Sequence, residues 1–145
     1  MQKEESSERR ERDARQSRKG SGSDLGRVAN ETDLAARTKS FALQIIRLFS
    51  RLPKTAEGQI IGKQLLRSGT SVGANYREAY RGRNKAEFVS KCGDCLREIE
   101  ETAYWLDLLA EANLVPQERL QAIRQECREL IAIFVTIVKR SRESS

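Results

Sequence analysis

From Leu34 to Ile137, apolar side chains return at alternating steps of four and three residues, the spacing of helices that pack on helices. Leu34, Thr38, Phe41, Ile45, Leu48 and Leu52 trace a first segment, closed by Pro53. Ile61, Leu65, Ser68, Val72, Asn75 and Ala79 trace a second, with Gly82 beyond it. A third carries Phe88, Cys92, Cys95, Ile99, Thr102, Leu106 and Leu109, and Asn84 with Glu87 opens it as a near relative of the capping box. A fourth carries Leu120, Ile123, Cys127, Leu130, Phe134 and Ile137, with Pro116 placed for a first helical turn. The connections around Pro53, Gly82 and Asn113–Val115 are short, which forces antiparallel neighbours. The pattern predicts an all-α, antiparallel up-down-up-down four-helix bundle over residues 31–145. Apolar residues outside the seam, among them Ile46, Ile60, Trp105 and Leu108, widen the stripes and offer surface for contacts between subunits.

The pattern fails before residue 31. Residues 1–30 hold little apolar content beyond Leu25 and Val28, too little to offset the entropy of ordering the chain. Glu5–Arg9, Glu8–Arg12 and Glu11–Arg15 are spaced for weak helix-stabilising pairs, and Gly20-Ser21-Gly22-Ser23 reads as a joint. The expected organisation is therefore a flexible charged extension, disordered or marginally helical, followed by one bundle.

Composition narrows the chemistry. The 145 residues contain no histidine, which removes the usual general base and the commonest metal ligand. Three cysteines cannot pair completely. Cys92-Gly93-Asp94-Cys95 has the C-x-x-C spacing, but it falls mid-helix on the apolar seam, away from the helix N-terminus that would stabilise a thiolate. No second carboxylate stands at helical spacing to make an acid–base pair with Glu78. A non-enzymatic protein without metal or cofactor is expected. The longest apolar run, residues 131–138, is far below a membrane span, and with no apolar leader a cytoplasmic location is expected.

Two constellations remain. The second segment contains Gly58, Gly62, Gly69 and Gly73, each costing about 1 kcal/mol against alanine in a helix interior. Small residues in a row allow a neighbouring helix to come close; the alternative is a groove for a ligand. Asn75, on the same seam, reads as a buried polar pin that fixes register, with Glu78 sharing its network. The other constellation is basic. The net charge is +6, of which +4 lies in residues 31–145. Arg77, Arg81, Arg83 and Lys85 crowd the turn between the second and third segments, with Tyr76 and Tyr80 among them. Guanidiniums that hold phosphate beside rings that stack on bases make a nucleic-acid site. The third segment is acidic through Glu98, Glu100, Glu101, Asp107 and Glu111, and opposite charge on opposite faces suits self-association. A protein-binding scaffold that uses the acidic helix and the extra apolar stripe is the rival reading.

Ser71-Val72-x-x-Asn75-x-x-Glu78, then Arg83, Ala86-Glu87-Phe88, Leu96-x-Glu98-x-x-Glu101-Thr102 and Trp105-Leu106-x-Leu108-Leu109 resemble the bacterial four helix bundle protein family. That family includes proteins encoded in intervening sequences of large-subunit ribosomal RNA genes, and its fold is similar to the accessory protein of diversity-generating retroelements. The resemblance covers about residues 33–142. Its usual Asn-Ile-Ala-Glu-Gly is Asn75-Tyr76-Arg77-Glu78-Ala79 here. It implies a homopentameric ring with a positively charged surface or channel, partnered in the retroelement relatives by nucleic acid and a reverse transcriptase. The combined expectation is an oligomeric accessory protein that binds RNA or DNA through Arg77, Arg81, Arg83 and Lys85, with Tyr76 or Tyr80 stacking.

Overall fold

The computed structural model describes the backbone from Ser23 to Glu143 and the side chains from Asp33 to Ser141. Among the described residues, four helices follow one another: α1 (Ser23–Ser50), α2 (Ala56–Tyr80), α3 (Lys85–Glu111) and α4 (Gln117–Glu143). The expectation for residues 1–22 lies outside the described residues. The chain divides into two units, Met1–Leu34 and Ala35–Ser145. In the first, the described backbone is the opening of α1, which begins upstream of the boundary expected at residue 31, and Leu34 is buried. The second is the antiparallel four-helix bundle.

Local chemistry sets the helix ends. The side chain of Thr55 accepts the Gly58 N–H at 3.2 Å and starts α2. Asn84 Oδ1 accepts the Glu87 N–H at 2.9 Å, and the Glu87 carboxylate accepts the Arg83 N–H at 2.8 Å. The reciprocal cap predicted from Asn84 and Glu87 thus forms, displaced by one residue on its return bond. At the end of α3, Leu114 N–H bonds to Leu109 C=O and Asn113 N–H to Ala110 C=O, a Schellman closure. Asn113 supplies the left-handed residue this closure needs, at φ 56°.

Side-chain contacts fix how the helices lie. Gly62, Gly69 and Gly73 face α1: a Cβ at Gly69 would stand 2.7 Å from Ile45 Cγ1, and one at Gly73 would stand 3.3 Å from the Thr38 carbonyl oxygen. The glycine row therefore packs α2 onto α1 and is no ligand groove. Thr102 donates to Ser68 Oγ at 2.9 Å, and both hydroxyls are fully buried between α2 and α3. The thiols of Cys95 and Cys127 point at the carbonyls of Val72 and Ile99, each at 3.5 Å. Burial pushes the Cys127 thiol up to about 12 and Cys95 higher still, so both stay protonated and act as small core side chains. Across α1 and α4, Arg37 pairs with Glu126 and lies 3.7 Å from Glu129.

The core follows the 4-3 seam, with Leu48, Ile61, Phe88 and Ile137 half-buried toward its ends and with an exchange of neighbours in α2. Val72, Tyr76 and Ala79 are buried, whereas Asn75 is half-buried. Both residues stand at the edge of the stripe, and the ring takes the inner place because it removes more apolar area from water without desolvating an amide.

A basic turn at one end of the bundle

The end of α2 and the start of α3 are held in a tight corner. Arg81 N–H bonds to Glu78 C=O at 3.2 Å, and Gly82 N–H to Ala79 C=O at 3.0 Å. A Cβ at Gly82 would stand 3.0 Å from that carbonyl and 3.4 Å from the Phe88 nitrogen, so the corner admits only glycine without a shift. Four residues then separate the last residue of one helix from the first of the next. Arg77 in the last turn of α2, Arg81 and Arg83 in the connection and Lys85 at the start of α3 are all exposed, and Tyr80 is 48% exposed beside them.

Two of the residues assigned from sequence do not belong to the surface or core expected of them. Tyr76 is only 1% exposed and packs edge-on against Phe134, with ring centroids 6.0 Å apart. It cannot stack on a base, because the core already holds both sides of its ring. Glu78 is an exposed residue rather than part of a buried network, and its carboxylate meets Lys91 of α3 at 2.8 Å. That contact raises the Lys91 pKa, first through the hydrogen bond and then through the charge of Glu78. Lys91 is thereby occupied. Among the described residues, Arg77, Arg81 and Arg83 have no carboxylate within ion-pair distance.

The Tyr76–Phe134 contact also fixes the register of α4 against α2, which run in the same direction. Lys139 and Arg140, both exposed, continue about 7–9 Å beyond Phe134 and reach the level of Tyr80 and Arg81. They enlarge the basic end. Their charge was visible in the sequence, but their placement depends on a contact between residues 58 positions apart.

The acidic residues of α3 are largely committed within the bundle. Arg67 of α2 reaches Glu101 at 2.6 Å and Glu98 at 3.5 Å, and Arg124 of α4 reaches Asp107 at 2.8 Å. Glu98 Oε2 is enclosed; its approach to Arg67 is an ion pair without hydrogen-bond geometry. Burial raises the Glu98 pKa, Arg67 opposes the rise, and neighbouring Glu101 adds to it. Glu100 and Glu111 remain exposed.

The fold and this end of it define a class: a helical bundle that presents arginines from a glycine-cornered turn, with its thiols locked in the core. The chain belongs to the 23S rRNA-intervening sequence protein family, whose sequence profile matches residues 30–136. It is similar to a protein of unknown function from the S23 ribosomal protein family of Bacteroides thetaiotaomicron. The two are 33% identical, with a TM-score of 0.70, over 75% of this chain and 97% of that one. A comparison with curated proteins finds no match. Among the described residues, no helix is long and apolar enough to cross a membrane.

Proposed function

We propose that this protein is a non-enzymatic, oligomeric accessory protein that binds RNA or DNA through the α2–α3 turn. The observation that carries the reading is the set of exposed arginines at that turn, Arg77, Arg81 and Arg83, free of described carboxylate partners and joined by Lys85. Their role is to hold phosphates. Tyr80 is the one stacking ring of the site, and Lys139 and Arg140 extend it. The family's description names an intervening sequence of 23S ribosomal RNA, which suits a protein that works beside nucleic acid.

A single turn of this kind binds weakly. Repetition around a ring, a pentamer in this proposal, would raise the affinity through avidity without any further contact. A reverse transcriptase-type protein is the proposed partner of such a ring. The chemistry on offer is phosphate-seeking, so binding should be largely independent of sequence.

Light scattering and fluorescence anisotropy on the full chain test the two parts separately. A multimer at micromolar concentration, with labelled duplex DNA and structured RNA bound at low salt, is the expected result. The triple variant R81Q/R83Q/K85Q should keep its circular dichroism and lose at least tenfold in affinity. A monomer removes the ring; a triple variant that binds like wild type removes the site.

A further inference from the structure

At the other end of the bundle, the α1–α2 and α3–α4 connections border a groove of about 830 Å³ between α1 and α4. Its volume is that of a ligand site. The walls are aliphatic and prolyl: Leu48 and Pro53 on one side, Leu114, Val115, Pro116 and Ile123 on the other. Three arginines stand around them, Arg47 from α1, Arg51 from the α1–α2 connection and Arg119 from α4. All three are exposed, no Asp or Glu among the described residues lines the groove, and none of the three forms an ion pair with a described carboxylate.

We propose that this groove binds a short acidic segment of a partner protein, in which carboxylates alternate with leucine- or phenylalanine-like side chains. Charge calls for an anion, since three guanidiniums face one groove without a counter-charge among the described residues. Their spread calls for several anionic groups. Arg47 stands in the last turn of α1, Arg51 opens the α1–α2 connection, and Arg119 lies on the opposite wall. A single-headed amphiphile would satisfy one of them. The walls call for apolar side chains between the charges, because a bare phosphodiester backbone has none to cover Leu48, Val115 and Ile123. A nucleic acid would need a ring on which to stack its bases, and among the described residues no Phe, Tyr or Trp lines the groove. Guanidinium–carboxylate pairs are also favoured by their two-pronged geometry. This inference stands apart from the nucleic-acid reading, which concerns the opposite end of the bundle.

The test uses the full chain and a fluorescein-labelled peptide of about 12 residues, with glutamates interspersed with leucine and phenylalanine. Anisotropy should report binding by wild type and by R81Q/R83Q/K85Q alike. R47Q/R51Q/R119Q should bind at least tenfold more weakly with unchanged circular dichroism. Ala122 is exposed on the groove, so Ala122→Trp should fill it and weaken binding without disturbing the core. A polyglutamate of equal length should bind at least tenfold more weakly than the mixed peptide. The proposal is overturned by any of three results: the Arg47, Arg51 and Arg119 variant or Ala122→Trp binds the peptide like wild type; polyglutamate binds as well as the mixed peptide; or the arginine variant loses duplex DNA affinity while keeping the peptide.

Discussion

Gly69→Ala sets helix propensity against packing, and the structure says which prevails. Alanine is favoured over glycine by about 1 kcal/mol in a helix interior. At position 69 the added methyl would lie 2.7 Å from Ile45 Cγ1, 2.9 Å from Cγ2 and 3.2 Å from Cβ. Ile45 is fully buried and β-branched, so it has no free rotamer into which to swing. Overpacking of this kind costs about 1–3 kcal/mol, and with two atoms in collision the upper part of that range applies. The net effect is a loss of about 1–2 kcal/mol, or a Tm lower by about 4–8 °C for a domain of this size. Gly93→Ala is the control. It lies within α3, where nothing stands within 4 Å of the added methyl. There the propensity gain acts alone, and Tm should rise by about 4 °C. Thermal melts compare the three proteins at one fixed protein concentration, because the Tm of any chain that self-associates depends on concentration. Adding Ile45→Ala to Gly69→Ala should cost less than the sum of the two changes by at least about 1 kcal/mol, because the substitution removes both colliding carbons. A Gly69→Ala protein as stable as wild type, or strictly additive behaviour with Ile45→Ala, would refute the close approach of α1 to α2.

Other consequences follow from single groups. Asn113→Gly should stabilise by about 0.5 kcal/mol in urea denaturation and Asn113→Val should destabilise by about 1–2 kcal/mol, because φ is 56° there. Burial holds the Glu98 pKa above the ordinary glutamate value, so the folded state binds that proton more tightly than the unfolded chain. Stability is then lost as pH rises from the ordinary glutamate value through the raised one; Glu98→Gln should be more stable than wild type at pH 7, and the gain should vanish near pH 4. Equal gains at both pH values would contradict this. Tyr76→Ala should cost about 3–5 kcal/mol as a core truncation, whereas Tyr80→Ala should stay within about 0.5 kcal/mol of wild type in urea and weaken single-strand binding about tenfold.

What could be read in the sequence was what depends on local periodicity. Phe41, Ile45, Leu65, Val72, Cys92, Cys95, Ile99, Leu106, Leu109, Leu120, Leu130 and Phe134 fall on the 4-3 stripe, and each is buried. Asn84 and Glu87 announced their cap because both partners lie within one helical turn. The pattern alone does not separate Asn75 from Tyr76, because neighbours at the stripe's edge differ by only 100° around the helix, and the choice between them is made by what faces them, here Phe134. The buried polar contact between helices proved to be Ser68 with Thr102, two hydroxyls small enough to be enclosed, rather than an amide. Glu78 with Lys91, and the convergence of Arg47 and Arg51 on Arg119, join segments distant in sequence. Along the chain, each of these residues reads as an ordinary solvated helix face.

The central claim is that the α2–α3 turn grips the nucleic-acid backbone, and its most direct measurement is the salt dependence of binding. Anisotropy titrations of labelled duplex DNA across a salt series should give a straight log–log plot, with a slope of about −0.9 for each phosphate contacted. Replacing Arg81, Arg83 and Lys85 by glutamine should flatten that slope by about 2–3 while leaving circular dichroism unchanged. Absence of binding by wild type at low salt, or an unchanged slope in the triple variant, would contradict the account.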